Sequence, residues 1–409
     1  MKSLLRRARS WTIAGVILLG VGAVVIAARG RPEWDPETLA NQVKEAINSQ
    51  HWSRAESLLN RLAARRTPTS ADKLLRAEVE SDLGRADVAL TILGGLPESD
   101  PLAPRARLLA SQIERRRDRM RLAEAWLLES LRLDPKLIQA RRELVYLYGM
   151  QARRAEMNAQ FLALSELLPL YHDDMLLWTS SHEDIWIQST IIPDLERFLA
   201  ADPEDRWSRL ALAEVLLVEG DLDRSETLLG ALPESDAEAL ALRARLALNR
   251  SELAKAQALL AHGPIQHAGL ARLRGQVAIL SNDPSTAARE LRIAVQLEPT
   301  NREAVQRLAL ALQLSGKAGE AAVNLRQAER LRTLADLLEQ AHDPKRSRDR
   351  TLPRRLGDAC AAVGYLAEAR GWYRIAIGHD PLDADVQAAL YRLRERPHES
   401  ESPPRMFDP

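Results

Sequence analysis

Apolar and small residues recur along this chain at helical spacing. In Ser285–Pro299, which reads STAARELRIAVQLEP, Ala287 is followed by Leu291 four residues later and by Ala294 three residues after that. Steps of four and three residues place side chains on one face of an α-helix, and a proline cannot continue a helix. The stretch therefore predicts an amphipathic helix that ends just before Pro299.

The same pattern returns at a fixed step along the chain. It holds Ala123, Leu127, Ser130 and Pro135, then Met157, Phe161, Leu164 and Pro169, then Ile191, Leu195, Phe198 and Pro203. A further step gives Ser225, Leu229 and Leu232, with Ala237 in place of the proline. Elsewhere, near Ala256, the step is slightly shorter. A single helix cannot bury its apolar stripe alone, so the recurrence predicts a stack of repeated units with one shared core.

Each unit carries a second marker twelve residues before its leading apolar position, and this marker is usually a small residue. The markers are Ser111, Val145, Thr179, Ala213, Ala244, Gly275, Ala309 and Gly357. Glycines such as Gly220, Gly316 and Gly364 lie between the marker and the leading position. Each unit is therefore predicted to hold two helices that approach closely at the marker and are joined by a tight turn.

This pattern resembles the tetratricopeptide repeat, a helix–turn–helix unit of about 34 residues. The resemblance covers most of the chain, and the unit at 172–203 departs from it most. It implies an all-α, right-handed superhelical solenoid over 38–396, with about ten helical pairs and a closing helix near 383–395.

The resemblance also implies that the first helices of the pairs line a concave groove that binds a protein or peptide. By their spacing, the polar residues that would face this groove are Arg105, Gln112, Arg115, Arg142, Tyr146, Arg245, Arg272, Gln276, Gln306 and Gln313. The Lys/Asn/Arg set with which some members of the family clamp a terminal carboxylate is absent from the sequence. Ordinary solvated surface is the alternative interpretation for each of these residues.

The N-terminus predicts a membrane segment. Residues 1–10 are basic, and Trp11–Ala28 is an uncharged run of 18 residues, about 27 Å long as a helix. The larger basic cluster favours a cytoplasmic N-terminus and a periplasmic array. A cleaved signal peptide and a cytoplasmic array are the alternatives. Residues 29–37 form a linker, and 397–409 are predicted to be disordered.

Composition argues against some functions. With 57 basic and 57 acidic residues the net charge is zero, which disfavours nucleic acid as a partner. The single cysteine, Cys360, lies in an apolar helix and predicts a buried, inert thiol. Nucleotide-binding, hydrolase and metalloprotease motifs are absent from the sequence. We therefore expect no catalysis and no cofactor.

Three segments carry sharper alternatives. His172–Asp174 and His182–Asp184 hold metal-ligand residue types, but ten residues of helix separate them by about 15 Å. Trp178, Trp186 and Trp207 suggest an accessory subunit of an extracytoplasmic enzyme complex that contacts substrate or glycan. The arginine clusters at 115–121 and 344–355 suggest docking to an acidic partner or to lipid headgroups.

The favoured function is a membrane-anchored, bacterial, non-catalytic scaffold that binds a protein partner in its groove. Self-assembly through the ends of the array is a further alternative.

Overall fold

The computed structural model describes residues 35–182, 189–343, 345 and 349–394. These residues form α-helices, one short 3-10 helix and connecting turns, with no β-strand among them. The chain divides into two compact units. The first holds the described residues up to Arg117 together with Ala125–Leu137, and the second holds Asp118–Glu124 and the described residues from Ile138 onward.

The first unit contains two complete helix pairs, the first helix of a third pair and most of the second helix of that pair. Its helices are α1 (Pro36–Asn48), α2 (Trp52–Ala63), α3 (Ser70–Asp82), α4 (Ala86–Gly94), α5 (Ala103–Arg116) and the greater part of α6 (Met120–Leu133). Its core is shared by neighbouring pairs: Leu39 of α1, Leu58 of α2 and Val79 of α3 belong to one buried cluster.

The second unit contains seven further pairs and a final single helix. They are α7 (Ile138–Met150), α8 (Arg154–Leu167), α9 (His172–Ser180), α10 (Ile192–Ala201), α11 (Arg206–Glu219), α12 (Leu222–Gly230), α13 (Ala237–Asn249), α14 (Leu253–Ala261), α15 (Ala268–Leu280), α16 (Pro284–Leu297), α17 (Arg302–Leu314), α18 (Ala318–His342), α19 (Leu352–Val363), α20 (Leu366–His379) and α21 (Ala384–Arg394). The 3-10 helix Ser189–Ile191 precedes α10.

In nine of the ten pairs, the turn between the two helices holds one residue with a left-handed backbone; residues 183–188, between α9 and α10, lie outside the described residues. In the first four pairs these residues are Gln50, Gly84, Asp118 and Ala152, with φ of 56°, 81°, 58° and 56°. They follow one another at the same step that separates Pro135, Pro169 and Pro203 in the sequence. Later pairs use Gly220, Ser251, Asn282, Gly316 and Gly364. The left-handed residue ends the first helix and turns the chain back along it.

The small marker residues lie where the two helices of a pair approach. A Cβ on Gly357 would lie 2.6 Å from the Tyr373 ring, and one on Gly275 would collide with Leu291. Ala213, Ala244 and Ala309 are fully buried. The predicted close approach is therefore confirmed. The prolines act as predicted as well, since the preceding helices end two residues before Pro135, Pro169, Pro203, Pro299 and Pro381.

One repeat position differs from the pattern. Leu325 occupies the place of the buried Leu291 in its unit, but 44% of it is exposed. It lies on α18, the 25-residue helix that replaces an ordinary second helix. In α18 the buried apolar residues continue instead through Leu331, Leu334 and Leu338.

Of the described helices, not one has the length and apolar character needed to cross a bilayer. The predicted anchor at 11–28 lies outside the described residues, as does the tail at 397–409, so both stay predictions. The predicted linker 29–37 overlaps α1, which begins at Pro36 because Asp35 caps its first turn through the backbone N–H of Glu37.

Candidate partner-binding surface

Polar contacts connect the first helices of successive pairs in the second unit. Arg142 of α7 forms two hydrogen bonds of 3.0 and 3.1 Å with the Asp174 carboxylate of α9. Arg245 of α13 lies 3.3 Å from Glu214 of α11. In both contacts the partners hold nearly equivalent positions in successive pairs.

The same contacts recur between α15 and α17. Arg272 pairs with Glu303, and Arg307 donates to the Gln276 side-chain oxygen at 2.5 Å. These side chains are about one-quarter to one-third exposed. Solvent-accessible pairs of this kind contribute little stability each, but they hold guanidinium and amide groups in fixed positions on one face.

The structure places the predicted groove residues in two different units. Arg105 is exposed on α5, and Gln112 and Arg115 are half-buried on the same helix, in the first unit. The other seven lie in the second unit: Arg142, Tyr146, Arg245, Arg272, Gln276, Gln306 and Gln313. Four of these seven form the contacts between first helices, which the repeat spacing does not predict. Gln306 and Gln313 are exposed on α17.

Apolar side chains flank these polar groups. Val218 of α11, Leu280 of α15 and Leu314 of α17 occupy the same repeat position, and each is more than half exposed, at 56%, 59% and 58%. Asn249 of α13 holds the same position. We call the surface formed by Glu214, Val218, Arg245, Arg272, Gln276, Leu280, Gln306, Gln313 and Leu314 the first-helix face. It offers fixed charges beside exposed aliphatic side chains.

In the second unit, α9 also contacts helices that are distant from it in the sequence. This helix packs against α18 and α20, which follow much later in the chain. The Trp372 indole N–H of α20 donates to the Thr179 hydroxyl at 2.9 Å, and both side chains are fully buried. His182 hydrogen-bonds Glu368 at 2.8 Å. We call these contacts the α9 clasp.

The clasp explains why the unit at 172–203 departs from the repeat. Thr179 occupies the small-residue position, but its hydroxyl accepts a hydrogen bond from the tenth pair. Gly371 of α20 packs against Met175 of α9, and a Cβ at this position would displace the end of the Met175 side chain. The departure from the pattern is therefore an adaptation to a long-range intramolecular contact.

The tryptophan hypothesis for this segment is wrong for Trp178. That side chain is 2% exposed and stacks on Phe161, with ring centroids 5.7 Å apart. Trp207 is half-buried between the guanidinium groups of Arg153 and Arg206, which lie 4.5 and 4.2 Å from its ring. Trp186 lies outside the described residues. An exposed pair of tryptophans for substrate or glycan is not formed by the two described rings.

The metal hypothesis has no support either. The described residues include no cluster of three or more metal-ligating side chains. His182 contacts Glu368 and stacks on Tyr365, whereas His172 lies edge-on against Trp372. Glu183 and Asp184 lie outside the described residues. The two histidines therefore serve the clasp.

A large cavity lies beside the clasp. Its volume is about 1020 Å³, and it is bounded by α7 and α8, by α9 and Ile191, and by α17 and α18. Apolar residues dominate the wall, including Tyr146, Met150, Leu176, Leu177 and Leu338. Charged side chains are confined to four positions, Asp173, Arg302, Asp336 and Glu339, and His342 also lines the wall.

The arginine clusters are largely occupied by intramolecular contacts. Arg117 lies 2.8 Å from Asp87, and Arg121 forms two hydrogen bonds with Asp202. In the second cluster Arg354 binds Asp383 and Asp385 at 3.1 and 2.9 Å. Residues 344 and 346–348 lie outside the described residues. These pairs weaken the hypothesis of docking through the arginine-rich turns.

Cys360 behaves as predicted. It is fully buried, and burial raises the pKa of its thiol well above the ordinary value. The thiolate form that reacts with electrophiles is therefore suppressed. Burial likewise raises the pKa of Tyr148, and burial together with the Asp358 hydrogen bond raises the pKa of Tyr373.

Three arginines that donate to helix-end carbonyl groups were not predicted from the sequence; one is buried and two are half-buried. Arg107 donates to the carbonyl oxygens of Leu93 and Leu96 at the end of α4, at 2.5 and 3.1 Å. Arg243 does the same at the end of α12, and Arg274 at the end of α14. In every case the acceptors lie 14 and 11 residues before the arginine. That fixed offset is the sequence signal that could have revealed them.

Comparisons with known proteins agree with the repeat pattern over part of the chain. A tetratricopeptide-repeat family model matches residues 191–246, which span α10 and α11 to α13. No curated protein sequence matches the chain.

Several solved structures are similar in part. One is the APC/C hetero-tetramer Cut9–Hcn1, with 14% identity, a TM-score of 0.39, and 88% of this chain and 90% of that chain covered. Another is a tetratricopeptide repeat protein from Parabacteroides merdae, with 16% identity, a TM-score of 0.31 and coverages of 68% and 98%. A third is a monomeric IFIT1 mutant with Gppp-AAAA, with 15% identity, a TM-score of 0.35 and coverages of 82% and 86%.

The described residues thus form an all-helical array of helix pairs, and within 191–246 the sequence of this array matches the tetratricopeptide repeat. Folds of this type are typical of protein-interaction scaffolds, because a stack of repeats presents an extended, preformed surface.

Proposed function

We propose that this protein is a non-catalytic scaffold that binds a protein partner on the first-helix face of its second unit. The observation that carries the proposal is the fixed array of guanidinium and amide groups between exposed aliphatic side chains on α11, α13, α15 and α17. Arginine beside apolar surface is a favoured composition for protein interfaces.

The rigidity of the face supports the proposal. Arg245 and Arg272 are already held by Glu214 and Glu303, so less side-chain entropy is lost when a partner docks. Gln306 and Gln313 remain exposed beside them for direct hydrogen bonds.

We further propose that Trp11–Ala28 anchors the protein in a membrane as a single span and that the array lies on the periplasmic side. The support is the apolar run with its larger basic cluster at residues 1–10. Protease digestion of intact and opened cells tests the sidedness. Digestion of the array only after the inner membrane is opened would contradict the periplasmic assignment.

Affinity capture tests the scaffold proposal. The full-length chain, solubilised from source-cell membranes in mild detergent, is compared with a variant carrying Gln306→Ala and Gln313→Ala. These side chains are exposed, so their removal leaves the contacts between first helices intact. We expect a captured protein that the variant loses.

The control is a variant with Arg224→Ala and Arg289→Ala, two exposed residues on the second helices α12 and α16. It is expected to retain the partner. Equal capture by all three proteins, or capture by none, would contradict the proposal.

A further inference from the structure

The cavity beside the α9 clasp is separate from the first-helix face. Apart from Tyr146, none of its lining residues was predicted to face the groove, and none belongs to the first-helix face. It is created by the packing of α9 against α18 and α20, a contact that an uninterrupted stack of repeats lacks. A volume of about 1020 Å³ is at the upper end of the range for ligand sites, which is about 300–1,000 Å³.

Two carboxylates mark one rim of this cavity. Asp336 and Glu339 lie three residues apart on α18, so they project from the same side of the helix, and both are exposed. No described basic side chain forms an ion pair with either of them.

Among the described lining residues, negative charge therefore predominates at the rim. Asp173 adds a third carboxylate from α9, on the other side of the cavity, and its side chain is fully exposed. Arg302 is the only arginine or lysine among the described lining residues. His342 is held by a 3.0 Å hydrogen bond to Ser180.

We infer that this cavity binds a cationic amphipathic peptide segment of a partner protein. Leucine-sized side chains of the segment would enter the apolar interior between Leu176, Leu177 and Leu338. Its lysine or arginine side chains would pair with Asp336 and Glu339 at the rim. The negative rim disfavours an anionic amphiphile such as a fatty acid, because like charges would meet there.

The test uses the full-length chain in nanodiscs of neutral lipid. Two fluorescent peptides serve as probes, one of lysine and leucine and one of glutamate and leucine in the same order, and binding is followed by fluorescence anisotropy. We expect the lysine peptide to bind and the glutamate peptide to bind at least tenfold more weakly. Equal binding of the two peptides, or no binding of either, would overturn the inference.

Two variants test the location. Ala335→Trp places an indole in the cavity and is expected to abolish binding of the lysine peptide. The double variant Asp336→Asn with Glu339→Gln is expected to weaken it about tenfold, because two surface ion pairs are lost. These two carboxylates are exposed and form no ion pair with a described basic residue, so we expect the double variant to preserve the fold, as circular dichroism will check.

Glu329→Gln is the matched control. This carboxylate lies on the same helix but outside the cavity, where it pairs with Arg332, so its loss should leave peptide binding unchanged.

Unaltered binding in both cavity variants would overturn the inference. The inference would also be overturned if neither peptide bound but a fluorescent fatty acid bound to the wild type and not to Ala335→Trp. That result would assign the cavity to a lipid. The Gln306/Gln313 variant should bind the peptide normally, which separates this site from the proposed function.

Discussion

At the residue scale, the structure depends on how the ends of short helices are satisfied. The last carbonyl groups of a helix have no partner within it. At the ends of α4, α12 and α14, an arginine from the following helix donates hydrogen bonds to such carbonyl groups. In each of these three cases the second helix of the pair is short, with nine residues. The chain then turns at a leucine or a glycine that is followed directly by a proline.

Removing one of these arginines should destabilise the repeat that it joins. For Arg107→Met we expect the free energy of unfolding to fall by about 2 kcal/mol, because buried carbonyl groups lose charged donors. Urea denaturation followed by circular dichroism measures the change. Arg116→Met, on the same helix but 48% exposed, is the control and should cost much less. An equal loss in the two variants would show that Arg107 acts only by packing.

A second residue-scale prediction concerns the turn of the fourth pair. Ala152 has a φ of 56°, where its Cβ is strained, and four other turns of this kind use glycine. We expect Ala152→Gly to raise the free energy of unfolding by about 0.5–1 kcal/mol. The complementary change Gly220→Ala should lower it by a similar amount. Thermal denaturation distinguishes the two, and a loss of stability in Ala152→Gly would contradict the strain.

At the element scale, the repeat arrangement could be predicted from the sequence and the α9 clasp could not. Alanine, leucine and proline recur at a constant step because they pack between adjacent helices or end them. The helices and turns could therefore be predicted from this step. The contact of Thr179 with Trp372 joins residues 193 positions apart and leaves no periodic trace. The sequence showed only that 172–203 is aberrant. Its two histidines and Trp178 suggested chemistry, whereas the structure uses these three side chains for packing and for a hydrogen bond.

The clasp predicts that two distant helix pairs lose stability together. Thr179→Val keeps the shape of the side chain but removes the acceptor for the buried Trp372 indole, so we expect a loss of about 1–3 kcal/mol. Hydrogen exchange should rise in α9 and in α20 alike. Thr227→Val, at an exposed position on α12, is the control. Faster exchange confined to α9 would contradict a direct contact.

At the scale of the whole molecule, binding is assigned to surfaces rather than to catalytic groups. The first-helix face was partly predictable, because residues at one repeat position share one face. Its pairing was not, because the spacing alone does not show that Arg245 meets Glu214 or that Gln276 meets Arg307. Because these ion pairs and hydrogen bonds hold the side chains in place, the first-helix face presents its charges in fixed positions.

Site-specific photo-cross-linking in the source cell tests this central claim most directly. A photoreactive amino acid is placed at Gln306 or at Gln313 on the first-helix face, and at Arg289 on the second helix α16 as the control. The scaffold proposal predicts a cross-linked partner from the first two positions and none from the third. Adducts from Arg289 alone, or equal adducts from all three positions, would contradict it.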